Sequence, residues 1–139
     1  MKIEKLHGTD SRLYKLVAPL IMNTLVLRYN NNYPFKTSPH HQWLVATEDE
    51  KVLGFMPIEV KKTGAHIDNY YAPESTPALL PTLIDFAKKE FAGEQPIFAV
   101  SHMRDAETFK TKGFIVSKEW KLYIKMVYPP TYENTEKCI

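Results

Sequence analysis

Residues 65–91 read AHIDNYYAPESTPALLPTLIDFAKKEF, and this stretch decides the fold that the sequence predicts. Its first part, Ala65 to Ala72, predicts a strand. A short proline-marked loop follows. Apolar residues then recur at positions 79, 80, 83, 84, 87 and 91, the pattern of an amphipathic helix. Because a strand that enters a helix through a short loop directs free N–H groups beyond the strand end, the stretch predicts an anion-binding centre.

The residues before this stretch predict one strand, a helical region and two further strands. Lys2 to Leu6 is the first strand, and apolar residues at 13, 16, 17, 20, 21 and 25 predict a helix that Asp10 caps. Pro19 falls within that stripe and is expected to kink or split the helix. Strands are predicted at 42–47 and 52–61, and Pro57 predicts an edge position or a bulge in the second. Short turns join them to the strand at 65–72 as an antiparallel meander.

The residues after it complete the sheet. Gly93 is expected to end the helix, and Asp105 and Gly113 to bound a second, short helix. Strands are predicted at 96–101, 114–118 and 119–128. Right-handed crossover makes the strands at 65–72 and 96–101 parallel neighbours. The predicted fold class is therefore α/β (α+β), with a mixed, mainly antiparallel sheet of about six or seven strands flanked by helices.

Composition limits the classes of function. A chain of 139 residues that is 44% apolar and 24% charged predicts one folded domain, 1–128, followed by a flexible tail at 129–139. The net charge of +2, with both signs well mixed, argues against a nucleic-acid partner. Cys138 is the only cysteine, which favours a reducing, cytoplasmic setting. The most apolar segment, residues 16–27, is too short to span a bilayer, so no membrane partner is expected.

Three segments carry motifs of a known superfamily. Residues 42–46 (QWLVA) followed by 51–55 (KVLGF) are similar to a central hairpin, and residues 67–74 (IDNYYAPE) to a strand ending V-x-P-e. Residues 106–114 (AETFKTKGF) are similar to a short helix that ends Y-e-k-x-G-F. Together with the element order over residues 1–128, these motifs resemble the GNAT-type N-acetyltransferase superfamily.

The resemblance implies an acyl-CoA-dependent N-acyltransferase that transfers an acetyl group from acetyl-CoA to an amine by direct attack. In that superfamily the central strand and its parallel neighbour splay, and the pantetheine arm lies between them. The loop after the strand and the start of the next helix hold the pyrophosphate. The positions that correspond to cofactor-binding ones are Tyr70, Tyr71, Ala72, Thr76, Ala78, Leu79, Leu80, Thr82 and Phe109.

The chain departs from the superfamily pattern in the pyrophosphate loop. The usual motif is Q/R-x-x-G-x-G/A, but here its basic residue falls at Thr76 and its two glycines at Leu79 and Pro81. Because proline has no N–H, Pro77 and Pro81 remove up to two donors from the anion site. Pro81 is nevertheless compatible with the first turn of a helix.

A second departure removes the usual general acid. The superfamily tyrosine that protonates the departing thiolate falls at Phe109, which has no hydroxyl and is expected to pack against Phe114. Both departures leave an alternative open, that of a catalytically inactive GNAT-fold binding or interaction module. A nucleic-acid or modified-base binder is a third alternative.

Three residues are the candidate catalytic groups. Asp68 and Glu59 border the expected acceptor cleft, where either could orient or deprotonate an amine, and the alternative for both is a solvated strand face. His102 follows the strand at 96–101, and the unperturbed pKa of a histidine side chain suits acid–base catalysis. The alternative for His102 is a hydrogen-bonded structural histidine.

The sequence predicts no metal site. His40 and His41 are adjacent, so their side chains point apart on a strand, and no acid is spaced to complete a ligand set. The expected partner is a small-molecule or peptide amine. The long final strand also permits pairing across a homodimer.

Overall fold

A seven-stranded sheet forms the centre of the computed structural model, which describes residues 1–93 and 95–130. The strands lie in the order β1-β2-β3-β4-β5-β7-β6. They are β1 (Lys2–His7), β2 (His41–Glu48), β3 (Lys51–Lys61), β4 (Gly64–Ile67), β5 (Ile97–His102), β6 (Ile115–Glu119) and β7 (Tyr123–Tyr128). Among the strands of the described residues, only β4 and β5 pair in parallel. The predicted mixed, mainly antiparallel sheet is confirmed, including its one parallel pair.

Helices cover both faces of the sheet. They are α1 (Ser11–Ile21), α2 (Thr24–Tyr29), α3 (Leu79–Phe91) and α4 (Ala106–Thr111). α1 and α2 bury Leu13, Val17 and Val26 against the first three strands, and α3 and α4 form the larger core on the opposite face. None of the helices within residues 1–93 and 95–130 is long and apolar enough to cross a bilayer.

The first helical region begins at the predicted cap but divides after Pro19. The Asp10 carboxylate accepts the Arg12 N–H at 2.8 Å, as expected for an N-cap. α1 contains Pro19 and ends at Ile21. Asn23 then caps α2 by accepting the Leu25 N–H at 2.8 Å. The split therefore coincides with a second capping residue rather than with the proline itself.

The predicted strand at 65–72 is too long. β4 ends at Ile67 because Asn69 adopts a left-handed conformation with φ of 54°. Tyr71 pairs again with Phe55 of β3, through N–H···O bonds of 2.9 and 2.8 Å. The register Ile58↔Ile67 continues as Phe55↔Tyr71, so the segment between contains one extra residue, a β-bulge.

Pro57 does not mark an edge strand, contrary to one of the two expectations. β3 is an interior strand, and its register shift against β2 lies at Ala46/Thr47. The Phe55 N–H points to the β4 side, so the nitrogen of Pro57, two residues on, points the same way. It therefore faces the bulge, where the ladder is already interrupted and no donor is needed.

Three smaller expectations were wrong. Asp105 makes no capping hydrogen bond to α4 and instead binds a tyrosine, as described below. α3 ends because Ala92 is extended with ψ of 134°, not through a left-handed Gly93. Residues 120–122, predicted as strand, form the turn between β6 and β7. Gly113 closes α4 with φ of 95°, as predicted. Residues 131–139 of the predicted tail lie outside the described residues.

Candidate functional site

The parallel strands β4 and β5 diverge where the bulge begins. They pair only over Ala65↔Ile97, His66↔Phe98 and Ile67↔Ala99. β5 continues to His102 along β7, whereas the chain after Ile67 turns toward β3. The result is a wedge-shaped gap between residues 68–72 and 100–102, with a cavity on each face of the sheet.

The larger cavity, about 560 Å³ in volume, opens on the α1–α2 face beside the gap. We call it the acceptor-side cavity. His66 and Phe98 stack with ring centroids 4.8 Å apart in its lining. It also brings together both predicted carboxylates, Asp68 and Glu59, with lysines at 36, 61 and 125.

The two carboxylates have different surroundings. Glu59 pairs with Lys61 at 3.6 Å, near solvent. Asp68 is exposed to the cavity, but the protein around it displaces part of its water and so raises its pKa. Its backbone hydrogen bond at Asn69 and the charge of Lys36 oppose this rise, and the Glu59 carboxylate adds to it. A carboxylate whose pKa is raised accepts a proton more readily than an ordinary one.

The smaller cavity, about 210 Å³, lies on the α3–α4 face between the loop after the bulge and the start of α4. We call it the loop-side cavity. Ala72, Thr76 and Leu80 line one wall, and Arg104 and Thr108 the other. The carboxylates of Glu74 and Asp105 also reach it and would oppose an anion there.

Backbone donors remain in this loop despite its prolines. The Thr76 and Leu79 amides are used in turns, donating to Pro73 and Thr76 at 3.1 and 3.0 Å. The Ala78 and Leu80 amides at the start of α3 have no hydrogen-bond partner among the described residues. Free N–H groups at a helix start, with the Arg104 guanidinium opposite, fit the binding of a pyrophosphate.

Buried aromatic side chains separate the two cavities. Tyr70 is fully buried, donates to the Asp105 carboxylate at 2.6 Å and accepts the His102 N–H at 3.2 Å. The ring of His102 lies 5.5 Å from that of Tyr29 and 5.4 Å from that of Tyr123. The side chain of Tyr70 thus fills the gap between the diverging strands. Its burial raises its pKa well above the usual value.

His102 lies in this wall and not with Asp68 and Glu59. Its residue is 3% exposed, and its Nδ1 atom has no hydrogen-bond partner among the described residues. Burial, aided by the nearby positive charge of Arg104, lowers the pKa of His102 to about 4. The ring is therefore neutral at pH 7, and its role as an acid or base stays a prediction.

The chain matches no family model and no curated protein. Solved structures do share its architecture. Escherichia coli ElaA superposes with a TM-score of 0.68 at 14% identity, over 91% of this chain and 99% of that one. An acyl-CoA N-acyltransferase from Pseudomonas aeruginosa superposes with a TM-score of 0.65 at 16% identity, over 91% of this chain and 97% of that one. An aminoglycoside 6'-N-acetyltransferase complexed with coenzyme A superposes with a TM-score of 0.67 at 12% identity, over 93% of this chain and 97% of that one.

The domain has the GNAT fold. The sequence identities are low, so the likeness establishes the architecture and leaves the activity to be argued from the site. The predicted resemblance is confirmed at this level, since more than nine-tenths of the chain superposes on solved structures described as N-acyltransferases or N-acetyltransferases.

The GNAT fold distributes the predicted cofactor-binding residues unevenly. Ala72, Thr76 and Leu80 line the loop-side cavity, and Ala78 precedes α3 beside it. Tyr70, Leu79 and Phe109 are fully buried, the last with its ring 5.3 Å from that of Phe114. The Thr82 hydroxyl donates to the Ala78 carbonyl at 2.7 Å. Tyr71 packs against Tyr29 and Phe55, so it does not line the acceptor-side cavity.

Two residues of this site were not predicted. The hydroxyl of Tyr29, the last residue of α2, donates to the Ala72 carbonyl at 2.9 Å and accepts the Ala72 N–H at 3.3 Å. The Arg104 guanidinium lies 4.1 Å above the Tyr29 ring and donates to the Tyr29 carbonyl at 3.0 Å. The sequence could have indicated Arg104 only through its position just after a strand of the parallel pair, and it contained no signal for Tyr29.

Proposed function

We propose that the protein is an acyl-CoA-dependent N-acyltransferase that transfers an acyl group, most simply acetyl, to an amine. The divergence of β4 and β5 between a carboxylate-bearing cavity and a cavity at the start of α3 carries this proposal. The neighbours described as N-acetyltransferases, one of them complexed with coenzyme A, support it.

The residues of the loop-side cavity would hold the cofactor. The Ala78 and Leu80 amides and the Arg104 guanidinium would bind its phosphates, and the backbone of Ala72 its pantetheine arm. The thioester supplies an acyl carbon that an amine nitrogen can attack as the carbon–sulfur bond breaks. Asp68 would take the proton that the amine must lose. Because Phe109 has no hydroxyl, the departing thiolate would be protonated from water.

Arg104→Ala is expected to weaken acetyl-CoA binding roughly ten- to hundredfold, because a charge-assisted hydrogen bond to phosphate contributes about 1.5–3 kcal/mol. Calorimetric titration of the purified protein measures the dissociation constant. Arg28→Ala removes an exposed arginine that lines neither cavity, and serves as the matched control. Thiol release with a panel of amines then measures turnover.

The two measurements separate the alternatives. An absence of acetyl-CoA binding at millimolar concentration would refute the proposed function. Binding without turnover of any amine would favour the inactive binding module. Equal weakening in both arginine variants would remove Arg104 from the cofactor site.

Tyr29→Phe is expected to strengthen acetyl-CoA binding about five- to tenfold at a cost of about 1 kcal/mol in stability. The tyrosine hydroxyl occupies both backbone groups of Ala72, which the pantetheine arm would need. Removing the hydroxyl frees these groups for the cofactor. Calorimetry and thermal unfolding measure the two effects, and Tyr14→Phe on the exposed face of α1 is the control. Unchanged or weaker binding would show that the cofactor does not use Ala72.

A further inference from the structure

The acceptor-side cavity holds an unequal set of charges. Three lysines and two carboxylates line it, but Lys61 and Glu59 pair with each other at 3.6 Å. Lys36 and Lys125 have no carboxylate within ion-pair distance in the described part of the chain, and neither does Asp68 have a cation that close. Two unpaired ammonium groups therefore share one cavity with one unpaired carboxylate.

The neighbouring histidines do not change this balance. His41 and His66 also line the cavity, and burial lowers the pKa of both, with Lys61 contributing in the same direction. Both rings are neutral at pH 7. The unpaired groups thus leave an excess of positive charge in a recess that also contains Asp68.

The unpaired carboxylate and the two unpaired lysines occupy different parts of the acceptor-side cavity. Asp68 is the first residue beyond the last β4–β5 pair, at the mouth of the gap. Lys36 is close enough to lower its pKa, and lines a second recess together with Asp68. Lys125, on β7, lies opposite Val100 of β5, with its ammonium 5.8 Å from the centre of the Phe98 ring. Both lysines thus line the cavity into which a ligand held at Asp68 would extend.

We propose, resting on the acyltransferase function above, that the acceptor is a small primary amine that also carries an oxyanion, either a carboxylate or a phosphate. Asp68 pairs with the amine, and Lys36 and Lys125 bind the oxyanion with charge-assisted hydrogen bonds. Phe98 and Trp120 provide apolar surface for the part between them. A cavity of about 560 Å³ is of the size that binds small molecules. A polyamine would place further cations against two unpaired lysines and be repelled.

Matched pairs of acceptors test this inference. One pair is L-phenylalanine and phenethylamine, which lacks the carboxylate, and the other is glucosamine 6-phosphate and glucosamine. In at least one pair we expect the anionic member to give a kcat/KM at least tenfold higher than its partner in the acetyl-CoA assay. The pair that shows the difference identifies the carboxylate or the phosphate as the oxyanion.

Lysine variants assign the effect to the cavity. Lys125→Ala and Lys36→Ala are expected to raise KM for the anionic acceptor at least fivefold, and to change KM for its neutral-ended partner by a clearly smaller factor. Lys121→Ala, on the turn next to β7 but outside the cavity lining, is the matched control. Equal efficiency within both pairs, or equal effects of the variants on both members, would overturn the inference.

Calorimetry distinguishes a failure of this inference from a failure of the proposed function. Each acceptor is titrated into the protein without turnover. Tighter binding of the anionic member, lost in Lys125→Ala, supports the acceptor class even where no acyl transfer is detected, and the missing transfer then counts against the enzyme. Turnover with no preference for an oxyanion supports the enzyme and overturns the acceptor class.

Discussion

Gly54→Ala is expected to destabilise the domain by about 2–3 kcal/mol and to lower its melting temperature by roughly 10 °C. A β-carbon at Gly54 would collide with the backbone carbonyl of Tyr71 and lie 2.7 Å from the Leu79 Cδ2 atom. The obstacle is mainly backbone, so rotation of a side chain cannot relieve it. Thermal and denaturant unfolding measure the loss.

The same substitution should also affect the site. The collision would push Tyr71 away from Phe55, and their paired hydrogen bonds fix the far end of the bulge. We therefore expect Gly54→Ala to weaken acetyl-CoA binding even at temperatures where the domain stays folded. Gly93→Ala is the control, because a β-carbon there meets no atom of residues 1–93 and 95–130 within 4 Å. Similar melting temperatures for both variants would show that β3 and the bulge can separate without cost.

The sequence predicted the sheet well because its core follows regular periods. Alternating and helical apolar patterns identify which segments form strands or helices, and the crossover rule made β4 and β5 parallel. The bulge was missed because Tyr70 and Tyr71, which are typical of strands, follow directly on the polar residues Asp68 and Asn69. Asn69 tolerates a left-handed conformation, but asparagine does so in only a minority of positions. Pro57 was the one local sign of interrupted hydrogen bonding between strands. Which neighbouring strand its nitrogen faces, and so where the interruption lies, cannot be read from the sequence.

Those parts of the site that depend on residues close together in the sequence, or on the parallel pairing of β4 and β5, could be predicted. Asp68 and Glu59 were expected at one cleft, and they line one cavity. The contact between Tyr29 and Ala72 joins residues 43 positions apart and depends on how α2 packs. Asp105 likewise leaves its local capping position for the Tyr70 hydroxyl, 35 residues away. Such long-range polar contacts have no periodic signal in the chain.

Acid is expected to remove about 3 kcal/mol of stability through His102 alone. Its pKa is about 4 in the folded protein, against an ordinary value of 6.5. Below pH 6.5 the His102 ring of the unfolded chain binds a proton, whereas that of the folded chain stays neutral until the pH approaches 4. The free energy of unfolding therefore has its full value, with respect to His102, above pH 6.5. The His102 contribution is lost as the pH falls toward 4 and does not change further below that. Asp68 and Asp105, whose pKa values are raised by burial, act in the opposite direction and offset part of the loss.

A histidine variant isolates this contribution. His102→Met replaces the ring with an uncharged side chain of similar volume, and His40→Gln removes an exposed histidine as the control. Denaturant unfolding between pH 7 and pH 4 gives the free energy of unfolding for each protein. We expect the slope of stability against pH to fall in His102→Met by the whole His102 contribution, and by clearly more than in His40→Gln, whatever the stability of either variant at pH 7. An unchanged slope in His102→Met would mean that the ring takes up a proton in the folded protein as readily as in the unfolded chain.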